Sequence, residues 1–94
     1  MIKVLLKENY IQISGHAKFD DYGKDIVCAS VSSIVYTTIN AILNFDNSAI
    51  KVSDKNDLII EILSNDTITN KLLDNMFVML NDLEKQYPEN IKIK

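Results

Sequence analysis

The sequence predicts an α+β fold: a two-layer sandwich in which two helices cover one face of a mostly antiparallel sheet, in the order ββαββαβ. Three observations carry this. Short stretches alternate apolar and polar residues with the two-residue period of strands, and the first four come in closely spaced pairs. Two long stretches repeat their apolar residues at helical spacing. The 94 residues, 47% of them apolar, are enough for one packed core and one domain, 1–94.

The elements follow in chain order. Ile2, Val4 and Leu6 alternate with Lys3, Leu5 and Lys7, and after Glu8-Asn9 the alternation resumes over Tyr10–Ser14, which predicts a hairpin. Residues Phe19 to Lys24 are polar, charged or glycine and read as loop. Asp25 reads as an N-cap, its carboxylate accepting a backbone N–H two or three residues on. A helix is expected from Ile26 to about Asn44, with Val27, Val31, Ile34, Val35, Thr38 and Ile42 on its apolar side. Its many β-branched residues are poor helix formers, so packing has to hold it.

Ile50 and Val52 alternate with Lys51 and Ser53. Asp54-Lys55-Asn56 is turn material, and Leu58 to Leu63 is the second arm of a hairpin. That arm is apolar on both faces except at Glu61, which suggests a central strand or one covered by a partner. Asp66 or Thr67 can cap a second helix, Ile68 to about Gln86. Its stripe of Ile68, Leu72, Leu73, Met76, Phe77, Met79, Leu80 and Leu83 is wider than one sheet contact requires, which hints at a homodimer. Tyr87-Pro88 ends the helix, because proline lacks an N–H and disfavours helix before it. Ile91 and Ile93 alternate with lysines as a last strand.

Composition narrows the function. The net charge is −3 and arginine is absent, which argues against direct nucleic-acid binding. No run of 18 apolar residues is present, so no membrane span is expected. The N-terminus lacks the features of a signal peptide, and a single cysteine cannot form an internal disulfide; both suggest a reducing, cytoplasmic setting. One histidine, one cysteine and scattered carboxylates offer no metal-ligand spacing, and the two glycines form no phosphate loop, so no cofactor is expected.

The chemistry rests on His16 and Cys28. A thiol becomes a strong nucleophile at neutral pH when a base takes its proton, and imidazole is the usual base. With Asp25 as cap, Cys28 falls in the first helical turn, where free N–H groups and the positive end of the dipole favour a thiolate and could hold an oxyanion. Ser32 lies one turn on. Gly15 beside His16 lets backbone or substrate come close. Each residue also has a plainer reading. A lone cysteine is ordinarily a small buried hydrophobe, a lone histidine a surface or capping residue, Ser32 a small helical contact residue, and Tyr22 a loop anchor.

The residues Gly15-His16-Ala17, then Tyr22-Gly23-Lys24-Asp25-Ile26-Val27-Cys28-Ala29 with Ser32 just after, resemble the signature of the bacterial ribosomal-processing cysteine protease family. The likeness covers essentially the whole chain, including Ile39-Asn40-Ala41-Ile42 and the late Leu80, Leu83, Tyr87-Pro88 and Ile91. It implies Cys28 as nucleophile and His16 as general base and acid, with Asp25, Ser32 and Gly15 in support. It implies a substrate or lid loop containing Phe19, Tyr22 and Gly23, charged here by Lys18, Asp20 and Asp21. It implies a homodimer and, as substrate, a ribosomal protein precursor whose N-terminal extension is cut beside a Phe-rich apolar motif. Two readings without a protease stay open: a non-catalytic, dimeric ribosome-associated binding module, and a redox-sensing thiol protein. Neither needs a base near the thiol.

Overall fold

The computed structural model describes the backbone of residues 1–15 and 22–94, and the side chains of residues 1–15 and 26–94. The elements are β1 (Ile2–Leu6), β2 (Tyr10–Ser14), α1 (Tyr22–Phe45), β3 (Ile50–Ser53), β4 (Leu58–Ile62), α2 (Thr67–Gln86) and β5 (Ile91–Ile93). The expected order ββαββαβ is the observed one.

The five strands form one sheet in the spatial order β3-β4-β2-β1-β5. Every neighbouring pair is antiparallel except β1 and β5, which run parallel with Ile2 opposite Ile91 and Lys3 opposite Lys92. β4 therefore lies inside the sheet, between β3 and β2, as one reading of its apolar sequence expects, with Leu58, Ile60 and Ile62 toward the helices and Ile59 and Glu61 on the other face. Period-two alternation turns Ile2, Val4, Ile11, Ile13, Ile50, Leu58, Ile60 and Ile91 toward the helices, all buried. Their neighbours Lys3, Lys51, Glu61 and Lys92 are exposed on the opposite face.

Both helices lie on that one buried face. α1 contributes Val27, Val31, Val35, Thr38, Ile39 and Ile42, and α2 contributes Thr69, Leu73, Met76, Leu80 and Leu83. The stretch Ile26–Phe45 is, by length and composition, apolar enough to cross a membrane, contrary to the expectation from the sequence. Serines, threonines and asparagines break its apolar runs without adding charge, so a count of consecutive apolar residues misses it. In the fold, the apolar row of this helix covers the sheet.

The ends of the helices have local causes. Asp66 is the N-cap of α2: one carboxylate oxygen accepts from the Thr69 N–H at 2.8 Å and the other from the Thr69 hydroxyl at 2.9 Å. The Ser64 hydroxyl also donates to it, at 2.5 Å. These donors, with Ser64 first, hold the Asp66 carboxyl below its ordinary range. After α1, Asp46 accepts from the Ser48 hydroxyl at 2.7 Å and the Ser48 N–H at 3.0 Å, closing the turn into β3. The same two bonds lower the Asp46 carboxyl. Tyr87 closes α2 through its N–H to the Leu83 carbonyl, and Pro88 follows.

Candidate active site

β2 ends at Ser14, and Gly15 follows in a left-handed conformation with φ +76°. A Cβ at Gly15 would collide with the Met1 carbonyl oxygen and lie 3.1 Å from its carbon. Only glycine suits both the backbone angle and this approach. The expected close contact is thus real, and it is the chain's own first strand that comes close. Gly15 delivers the chain to His16. His16 and Phe19 lie outside the described residues, as does most of the segment expected to form a lid.

α1 begins at Tyr22, four residues before the expected start. Tyr22, Gly23 and Lys24 are therefore helical rather than loop, and Asp25 is the fourth helical residue rather than the N-cap. From sequence alone Gly23 reads as loop and the next acidic residue, Asp25, as the cap. Glycine lowers helix propensity by only about 1 kcal/mol, and the apolar row that follows outweighs it.

This correction changes the chemistry expected of Cys28. It is the seventh residue of α1. At that position its N–H bonds back to the carbonyl four residues earlier, so it is not one of the free donors of the helix start. The favourable end of the dipole acts mainly over the first turn. The helix start therefore does little to favour the thiolate at this position.

Cys28 is a free, half-buried cysteine packed against the core cluster beside the fully buried Val27. Ser32 is half-buried one turn on, about 6 Å along the axis. Together they make a small polar row between the core row Val27-Val31-Val35 and solvent. Ala29, the next residue along the helix, is exposed.

A second feature was not legible in the sequence. Ala29, Ser30, Ser33 and Ile34 of α1 face Met79, Asp82, Leu83 and Gln86 of α2 across a groove of about 590 Å³. Cys28 and Ser32 are not among its walls. At 100° per residue Cys28 and Ser30 project about 160° apart around α1, so the thiol row faces away from α2. The groove is built by the packing of two helices distant in sequence, and no local pattern announces it.

Comparison with known proteins places this architecture. Residues 1–92 match the family model described as cysteine protease Prp. The ribosomal processing cysteine protease Prp of Staphylococcus aureus is 34% identical over 85 residues, covering 86% of this chain and 80% of that protein. The protein of the same name from Mycoplasma pneumoniae is 33% identical, covering 100% of this chain and 94% of that protein. Among solved structures, the S. aureus protease Prp in complex with a substrate peptide superposes with a TM-score of 0.84 at 25% identity, covering 99% of this chain and 95% of that one. SMU.848 from Streptococcus mutans shares the fold, with a TM-score of 0.83 at 22% identity, covering 99% and 90% of the two chains. With a family match across nearly its whole length and relatives of the same name at a third identity, the chain belongs to the Prp family of ribosomal processing cysteine proteases.

Proposed function

We propose that this protein is a cysteine endopeptidase in which His16 and Cys28 form the catalytic dyad, and that it removes a short N-terminal extension from a ribosomal protein precursor. The observation that carries the reading is Cys28 itself: it is the chain's one thiol, half-buried on a flank of α1 that the second helix leaves uncovered, in a chain of the Prp family. A structure of the S. aureus relative holds a covalently linked product peptide, as expected of a family whose nucleophile joins its substrate.

In this mechanism His16 takes the Cys28 proton, and the thiolate attacks the scissile carbonyl to form a tetrahedral oxyanion. Imidazolium then protonates the leaving amine, and water, deprotonated by the same imidazole, hydrolyses the thioester. Because Cys28 sits in the second turn of α1, its own N–H is bonded within the helix, so the oxyanion draws on other donors. Ser32, on the thiol's side of the helix, supplies a hydroxyl in support. Asp25, which is helical rather than the N-cap, supports the imidazole or the substrate in this reading.

The protein acts as a homodimer in this reading. Ile68, Val78 and Met79 of α2 are exposed at 47%, 58% and 44%, a surplus of apolar surface on an amphipathic helix.

The test is mass spectrometry of a peptide spanning the precursor's N-terminal extension, incubated with wild type, Cys28→Ala and His16→Ala. Wild type is expected to cut one bond, Cys28→Ala none, and His16→Ala to lose at least about 100-fold in kcat/KM. Cleavage by folded Cys28→Ala would refute the nucleophile. Binding by wild type without any product would favour a binding module, and full activity in His16→Ala would remove the base.

A further inference from the structure

The sheet has two edges, and the register shows what each offers to another chain. β5 is the edge beside β1. The Asn90 carbonyl accepts the Ile2 N–H at 2.9 Å and the Lys94 N–H donates to the Val4 carbonyl at 2.8 Å, so Ile91 and Ile93 turn their backbone groups outward. Both of those N–H groups are already taken. Ile91 donates to the Tyr87 carbonyl at 3.2 Å and Ile93 to the Glu84 carboxylate at 2.9 Å. That edge is closed to a further strand.

The opposite edge, β3, is open. The Leu63 N–H donates to the Ala49 carbonyl at 2.9 Å, which makes Ala49 and Leu63 a hydrogen-bonded pair. Such pairs alternate along an antiparallel ladder, so Lys51 with Glu61 and Ser53 with Ile59 are bonded pairs too. The backbone groups of Ile50 and Val52 therefore point away from the sheet, and among the described residues nothing bonds them. They present a donor and an acceptor, then the same again two residues on. The complement of that pattern is the backbone of another extended chain.

This edge lies on the thiol's side of the molecule. α2 packs against β5, which leaves α1 over the β3 half of the sheet, and only the turn 46–49 joins the end of α1 to β3. The Cys28–Ser32 flank of α1 faces away from α2, hence toward the β3 edge. β3 is antiparallel to β4 and β4 to β2, so β3 runs parallel to β2. Its Ser53 end thus lies where β2 stops at Ser14 and the chain leaves for α1, and Cys28 stands near the start of α1. About 25 Å of helix separate Cys28 from Phe45, while β3 covers about 10 Å. A peptide paired on β3 needs about four or five more extended residues to reach the thiol. We propose that β3 receives the peptide being cleaved as a sixth strand, backbone to backbone at Ile50 and Val52, and so holds its scissile bond beside Cys28. This inference rests on the proteolytic reading above. A second copy is a poor occupant: antiparallel self-pairing that uses both Ile50 and Val52 sets Lys51 directly opposite the Lys51 of the other copy.

The test is amide-resolved hydrogen exchange by NMR on Cys28→Ala, with and without a peptide spanning the precursor's N-terminal extension. In the free protein the Ile50 and Val52 amides should exchange fast and those of Lys51 and Ser53 slowly. At peptide saturation Ile50 and Val52 should slow by at least about tenfold. Kinetics give a second readout. Val52→Pro removes an outward N–H that no strand of the sheet uses, which an edge tolerates, and should raise KM about three- to tenfold with kcat unchanged. N-methylation of the peptide backbone about four or five residues from the scissile bond should do the same to wild type, with no change to the protein. Glu84→Gln at the other edge should leave KM and kcat as they are. Cleavage by wild type without protection of Ile50 and Val52 overturns the docking and leaves the proteolytic reading intact. Protection without cleavage by wild type does the reverse, and neither protection nor cleavage overturns both. Protection that appears in the free protein and rises with its concentration makes a second copy the occupant and also overturns the proposal.

Discussion

Gly15 is the position at which one methyl group should cost most. Its φ of +76° lies in the left-handed region, where an alanine pays roughly 1–2 kcal/mol. Its Cβ would also meet the Met1 carbonyl oxygen and lie 3.4 Å from Ile2 Cα. That backbone cannot simply swing away: the Ile2 N–H bonds to the Asn90 carbonyl at 2.9 Å, and the Ile2 side chain is 3% exposed in the core. Overpacking of this kind costs roughly 1–3 kcal/mol. Gly15→Ala should therefore lose about 2–5 kcal/mol in urea unfolding. Gly15→Asn separates the two contributions, because asparagine tolerates the left-handed region but keeps the clashing Cβ; it should recover part of the loss. Since His16 follows directly, kcat/KM in Gly15→Ala should fall beyond what the unfolded fraction explains. A Gly15→Ala protein within about 0.5 kcal/mol of wild type would refute both the backbone and the packing argument.

Three further outcomes are expected. Asp66→Ala removes the α2 cap and orphans the buried Thr69 hydroxyl, so the urea midpoint should fall; because hydrogen bonds depress the folded carboxyl below its ordinary 3.8, its contribution is complete above that pH and is lost as pH falls through the lower folded value, an acid limb that Asp66→Ala should flatten. Glu84→Ala leaves the Ile93 N–H without the carboxylate it meets at 2.9 Å, at a cost of about 1–3 kcal/mol, with hydrogen exchange accelerating first in β5. Val78→Asp places a charge on the exposed apolar surface of α2 and tests the proposed homodimer: sedimentation should show wild type as a dimer and the variant shifted toward monomer with little change in its urea midpoint; a monomeric wild type would refute the dimer, and an unchanged dimer would move the interface elsewhere.

The sequence by itself determined the elements, their order and the layer they form. Alternation in Ile2–Leu6 and Tyr10–Ser14, the helical stripe of α2 and the Pro88 stop are local signals, and local hydrogen bonding and burial obey them. The family was also legible, because the residues around the thiol are contiguous. Only the tertiary structure decided the rest. The start of α1 at Tyr22 depends on how much packing the following turns secure, which overrides the capping signal at Asp25. β4 lies between β3 and β2, and no strand can announce its own neighbours. Gly15 is glycine because the Met1–Ile2 backbone, distant in sequence, passes where a side chain would be. The groove between α1 and α2 and the open β3 edge on the thiol's side exist only once residues far apart in the chain are set side by side. A stripe on one element is a local pattern, whereas a surface is made by neighbours, and register and packing choose those.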